Sequence, residues 1–128
     1  MSRTSIHDLL AGARARLHRL TPPEAADAQR AGATLVDLRA EGHVERDGAI
    51  PGALRFPRNV LEWRLDPDSP WRGEGAPGLD AEVILFCDHG FQSSLAAAQL
   101  HDMGFEHATD LDGGFEAWMA AGLPVERP

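Results

Sequence analysis

An α/β fold, a parallel sheet with helices on both faces, is predicted by the order of segments along the 128-residue chain. Short apolar runs of strand length, such as Val83 to Phe86, alternate with stretches of helical period, such as Ser93 to Met103. Glycine and proline fall between them, as at Gly32, Gly104 and the pair Gly122 and Pro124. Parallel neighbours need crossover connections, and helices are what lies between these runs.

Taken in order, SIHDLLAGARARL (residues 5–17) sets Ile6, Leu9, Leu10, Ala13 and Leu17 at helical spacing. Arg14 and Arg16 then fall on its wet side, facing either solvent or an acidic partner. Residues 1–19 are thus expected to be an N-terminal amphipathic helix packed on a domain spanning 20–128. A second helix starts at Thr21, with Pro22 at its first position, Glu24 three residues after the cap and Gly32 as its stop. ATLVDLR predicts a buried strand ending at Asp37, followed by a polar segment from Ala40 to Gly48. A further strand is expected over Ala53 to Phe56, then a short helical turn at RNVLEW, then a surface loop from Asp66 to Gly78. The strand Val83 to Phe86 leads into a helix whose small face (Leu95, Ala96, Leu100, Met103) suits close packing on a sheet. A last strand near His107 to Leu111 precedes DGG and a helix from Phe115 to Ala121.

Twelve Lys and Arg against twenty Asp and Glu give a net charge of −8, which disfavours an electrostatic grip on nucleic acid or anionic lipid. Small molecules or proteins are the expected partners. One cysteine forms no intramolecular disulfide, and no cysteine pair or Cys/His array offers a metal site. The histidines His7, His18, His43, His101 and His107 are scattered. The cysteine usage fits a reducing cytoplasm, and neither a signal peptide nor a membrane span is expected.

Ligands of open α/β sheets gather at the carboxyl ends of the strands. That rule selects Asp37 to Arg39, Pro57 and Arg58, Cys87 to Gln92, and Asp112 to Gly114. Within VILFCDHGFQSS, Cys87 follows a strand and its loop enters a helix N-terminus, where unpaired N–H groups and the helix dipole favour an anionic sulfur. Gly90 permits a tight turn. The same cysteine also fits a small apolar residue closing a strand. Asp110 and Asp112 alternate at a strand end, as solvated carboxylates do.

The segment VILFCDHGFQSSLAAAQLHDMGF followed by ATDLDGGFEAWMAAGLPV resembles the rhodanese-like (sulfurtransferase) family. That family is marked by a strand, a C-x-x-G-x-R-S loop, a small-residue helix and G-G-x-x-x-W. LTPPEAADAQRAGATLVDLR and GAIPGALRFP resemble its opening helix, strand and G-H-I-P-G-A segment. The resemblance implies a three-layer fold with about five parallel strands. It further implies that Cys87 carries a sulfane sulfur as a persulfide, from a donor such as thiosulfate to a thiophilic acceptor, with no metal or organic cofactor. The acceptor would be a small molecule or a protein thiol carrier. Asp88, His89, Gly90, Phe91 and Gln92 would bind the substrate through the loop amides, and Ser93 would bind it beside them. Asp37 and Arg39 would form a structural pair, and Gly113 and Gly114 a tight turn near the loop. Two positions depart from the pattern: Gln92 stands where the family has arginine, and Ala49 where it has histidine. Arg58 or Arg64 is expected to reach over the loop and restore the missing charge. The same fold without turnover, as a binding or regulatory module, is the alternative. A phosphatase loop, C-x-x-x-x-x-R, is not matched, since Ser93 stands at its arginine position.

Overall fold

The computed structural model describes residues 2–128. Helix α1 (Ile6–Arg14) is followed by α2 (Pro22–Arg30), β1 (Thr34–Asp37), α3 (Glu41–Asp47), β2 (Leu54–Arg55) and, after a 3-10 turn at Arg58–Val60, α4 (Leu61–Leu65). The chain continues through β3 (Val83–Phe86), α5 (Gln92–Asp102), β4 (Ala108–Asp110) and α6 (Gly114–Ala120). Start signals act as the residues dictate. The Thr21 N–H donates to the Glu24 carboxylate at 2.9 Å and the Glu24 N–H returns to the Thr21 hydroxyl at 3.4 Å. The backbone bond from Thr21 holds the Glu24 carboxyl below the usual range.

All strand pairs are parallel, in the order β2-β1-β3-β4. The sheet has four strands, not five. At the edge beyond β4, Leu20 makes a single parallel bridge with Leu111, donating to the Asp110 carbonyl at 3.1 Å and accepting from the Asp112 N–H at 2.8 Å. Thr21 then turns into its cap and Pro22 and Pro23 follow, so no residues remain to extend that strand. The polar segment 40–48 also departs from expectation: it winds into α3, anchored by the buried Val44.

Because side chains alternate across a strand, β3 divides between two cores. Val83, Leu85 and Cys87 enter one with Leu61, Leu65, Ala96, Ala97, Leu100 and Phe105. Ile84 and Phe86 enter the other with Ala25, Ala26, Leu111, Phe115 and Trp118. Helices α4 and α5 thus cover one face, and α2 and α6 the opposite one. Full burial of side chains such as Phe105 and Leu85 contributes about 2–3 kcal/mol each. Trp118 fixes the last helix, its indole N–H donating to the Pro124 carbonyl at 2.9 Å.

Helix α1 lies along α5. Its expected apolar face is only partly used: Ala13 is buried and Leu17 packs on the α5-side core, while Ile6 and Leu9 are exposed. Among the described residues, no helix is long and apolar enough to cross a membrane.

Candidate active site

At the carboxyl end of β3 the chain must leave the sheet and start α5 within five residues. Gly90 makes this possible by adopting φ +84°, and its N–H donates to Cys87 Sγ at 3.2 Å. Helix α5 opens at Gln92 after Phe91 with no side chain capping it; the Ser94 N–H turns back to the Phe91 carbonyl at 3.2 Å, and the N–H groups of Gln92 and Ser93 remain available to an anion. Cys87 is nearly buried, and a cavity of about 270 Å³ lies over it, lined by Cys87, Asp88, His89, Phe91 and Gln92. Among the described residues, no Lys or Arg lines that cavity.

The turn after β4 braces the loop from one side. A Cβ on Gly114 would lie 2.5 Å from the Cys87 carbonyl and 2.7 Å from that of Asp88, which is why the two backbones approach only with glycine there. The first N–H groups of α6 take these carbonyls, Phe115 to Cys87 at 2.8 Å and Glu116 to Asp88 at 3.1 Å. Gly113, also at positive φ, sets the turn.

Behind the loop sits a buried ionic cluster. Asp110, fully buried, accepts from the Ser93 and Ser94 hydroxyls at 2.8 and 2.7 Å and from Arg19 Nε at 2.9 Å. It is not the solvated strand-end carboxylate expected; Asp112 is, at 60% exposure, although it too meets Arg19 at 3.1 Å. Arg14 reaches inward from α1 to the Gly90 carbonyl at 2.9 Å and Ser94 Oγ at 3.1 Å. Its expected wet-side position is thereby corrected, whereas Arg16 does face outward, pairing with Asp102 at 2.6 Å. Arg14, Arg19 and Asp110 carry no local motif, since each acts on residues distant in sequence.

The mouth holds two histidine–carboxylate contacts, His43 to Asp88 at 2.7 Å and His89 to Glu116 at 2.6 Å. Ser93, expected to bind substrate, is buried and turned to Asp110. Asp37 and Arg39 form a buried fork, with Nη2 to Oδ2 at 2.7 Å. The Arg39 guanidinium lies 3.8 Å from the Phe115 ring centroid, which ties β1 to α6 behind the loop. Neither Arg58 nor Arg64 is among the described residues lining the Cys87 cavity. Arg58 pairs with Glu62 at 2.9 Å, one turn along the chain, and Arg64 donates to the Trp71 carbonyl at 3.1 Å with Phe56 beneath it. Of the aromatics near these segments, Phe91 stands exposed at the mouth and Phe115 is buried. A separate cavity of about 520 Å³ at the opposite end of the sheet, near His18, His101 and His107, holds no cysteine.

A cysteine closing a central parallel strand, inside a short amide loop that starts a helix, defines a class of α/β proteins with an anion cradle at the end of that strand. Within that class the chain belongs to the rhodanese-like domain family, whose profile matches residues 21–121. A thiosulfate sulfurtransferase GlpE from Stutzerimonas stutzeri is 41% identical over 98 residues, covering 76% of this chain and 81% of the relative. A sulfurtransferase from Allochromatium vinosum is 33% identical over 94 residues, covering 73% and 78% of the two chains. Among solved structures, a protein of unknown function from Rhodopseudomonas palustris, described as a possible tyrosine phosphatase, superposes with a TM-score of 0.85. It is 33% identical, and the match covers 98% of this chain and 99% of that one.

Proposed function

We propose that the protein is a sulfurtransferase that carries sulfane sulfur on Cys87. The Cys87 thiolate attacks the outer sulfur of a donor such as thiosulfate; the donor's S–S bond breaks, sulfite leaves with the electron pair, and a Cys87 persulfide forms. A thiophilic acceptor, either a small molecule or a protein thiol, then attacks the outer sulfur and returns the thiolate. The observation that carries this reading is the Gly90 N–H on Cys87 Sγ at 3.2 Å, at the uncapped start of α5. Backbone donors in that arrangement hold negative charge on either sulfur of the adduct. The relatives named as sulfurtransferases support the same reaction class. A reducing setting such as the cytoplasm suits a thiolate that oxidation would remove from the cycle.

A phosphatase reading is less well supported. Its loop needs a guanidinium six residues after the nucleophile, and that position is Ser93, buried against Asp110. Mass spectrometry after incubation with thiosulfate tests the proposal. The expected result is one added sulfur atom on the wild-type chain, removed by cyanide and absent in Cys87→Ala. If Cys87 stays unmodified by thiosulfate and by polysulfide, the protein is a binding module of the same fold instead.

A further inference from the structure

Residues before Thr21 lie outside the segment matched to the family, yet two of them place guanidinium groups on the catalytic loop. Arg14 Nη2 donates to the Gly90 carbonyl at 2.9 Å, and Arg19 Nη2 donates to the same oxygen at 3.1 Å. Arg14 also holds Ser94 through Nε at 3.1 Å, and the Ser94 hydroxyl contacts that carbonyl at 3.3 Å. Both lone pairs of one loop carbonyl are therefore committed to cationic donors. In a trans peptide the C=O and the N–H point in opposite directions, so gripping the Gly90 oxygen fixes the Phe91 N–H as well. The Gly90 N–H that meets Cys87 Sγ belongs to the same gripped residue.

The two arginines differ in charge balance. Arg19 faces two carboxylates, Asp110 and Asp112, so those three groups together leave one negative charge, which Arg14 balances through the Ser94 hydroxyl it shares with Asp110. Arg14, half-buried, has no carboxylate within salt-bridge distance among the described residues; its partners are a hydroxyl and a carbonyl. Its charge lies within about 10 Å of the sulfur, by adding the 3.2 and 2.9 Å contacts to standard backbone dimensions. Among the described residues the cavity over Cys87 has no Lys or Arg of its own, and Gln92 is neutral.

The geometry points to Arg14 and Arg19 as positioning residues for Cys87: a clamp from the N-terminal segment that orients the loop amides and, through Arg14, holds a guanidinium directly on the back of the loop. The inference rests on Cys87 being the reactive sulfur of the proposed function. Its readout is nonetheless independent of sulfur transfer, because alkylation by uncharged iodoacetamide reports thiolate directly.

The experiment follows the alkylation rate of Cys87 against pH in the wild-type chain, Arg14→Ala, Arg14→Gln and Arg14→Lys. Loss of one positive charge at this range slows alkylation near neutral pH by roughly three- to tenfold. The expected pattern is that slowing in Arg14→Ala and Arg14→Gln, an unchanged limiting rate at high pH, and recovery of most of the loss in Arg14→Lys. Arg14→Gln retains hydrogen-bonding reach and serves where Arg14→Ala fails to fold, as judged by circular dichroism. A profile for a folded, neutral Arg14 variant that superposes on the wild type overturns the clamp. Sulfur uptake by the wild type with such superposed profiles removes the clamp and leaves the proposed function standing. Arg14-dependent alkylation in a chain that takes up no sulfur does the opposite.

Discussion

The back and the front of the Cys87 loop are built on different principles. Behind it, Asp110, Arg19, Arg14, Ser93 and Ser94 form a buried, charge-assisted network converging on one carbonyl. In front, the cavity is lined by Asp88, His89, Phe91 and Gln92, with Phe91 60% exposed and no Lys or Arg among the described residues. The back determines the loop's shape. The front is left open, so donor and acceptor are selected by access and by weak polar contacts rather than by a charged anchor.

The contrast breaks most severely at Asp110. Asp110→Ala leaves Arg19 a single carboxylate partner, the exposed Asp112, and strands the buried Ser93 hydroxyl, so urea denaturation should show a loss of about 3–5 kcal/mol. A loss under about 1 kcal/mol would make the back no more structural than an exposed ion pair. Gly90→Ala comes next. Its Cβ would sit at positive φ, 3.0 Å from the Gly113 N and 3.1 Å from Arg19 Nη2, and a cost of about 1–3 kcal/mol is expected in the same assay. The smallest effect sharpens the front. Gln92→Arg exchanges a neutral donor for a charged one, and the KM for thiosulfate, followed by thiocyanate formation with cyanide, should fall roughly tenfold. Stability should stay within about 0.5 kcal/mol of the wild type, since Gln92 is exposed. A large stability change there would mean that front and back are one cooperative unit.

Most of the fold was legible because its signals are local. The Thr21–Glu24 cap, the all-apolar β3 and the glycine-punctuated helix ends each depend on residues within one turn or strand of one another. The loop was legible for the same reason: Cys87, Gly90 and the start of α5 are contiguous. What escaped is long-range. Its charge marks Arg14 as wet-side, although it stands four residues after Leu10 and three before Leu17, beside the apolar stripe; α1 packs on α5 in an orientation that sends it to Gly90. Asp110 read as a solvated strand end because nothing near it in sequence announces Arg19 or the two serines. Segment 40–48 has no side chain capping its N-terminus, and its helix is anchored by the burial of Val44 and ended by Gly48 at positive φ. Arg58 and Arg64 looked suited to the loop by position after β2, yet Glu62 and Phe56 were nearer partners.

The lone bridge at Leu20 has a consequence for how accurately the rear of the site is assembled. Both backbone groups of Leu20 are tied to β4 and its exit, at Asp110 and Asp112, the residues whose carboxylates receive Arg19. The sheet edge therefore acts as a gauge that meters where Arg19 stands relative to Gly90. A slip of a single residue at that bridge would turn the Arg19 side chain to the opposite face of the edge, since successive side chains in an extended chain alternate. One rung of pairing thus calibrates the whole rear of the loop.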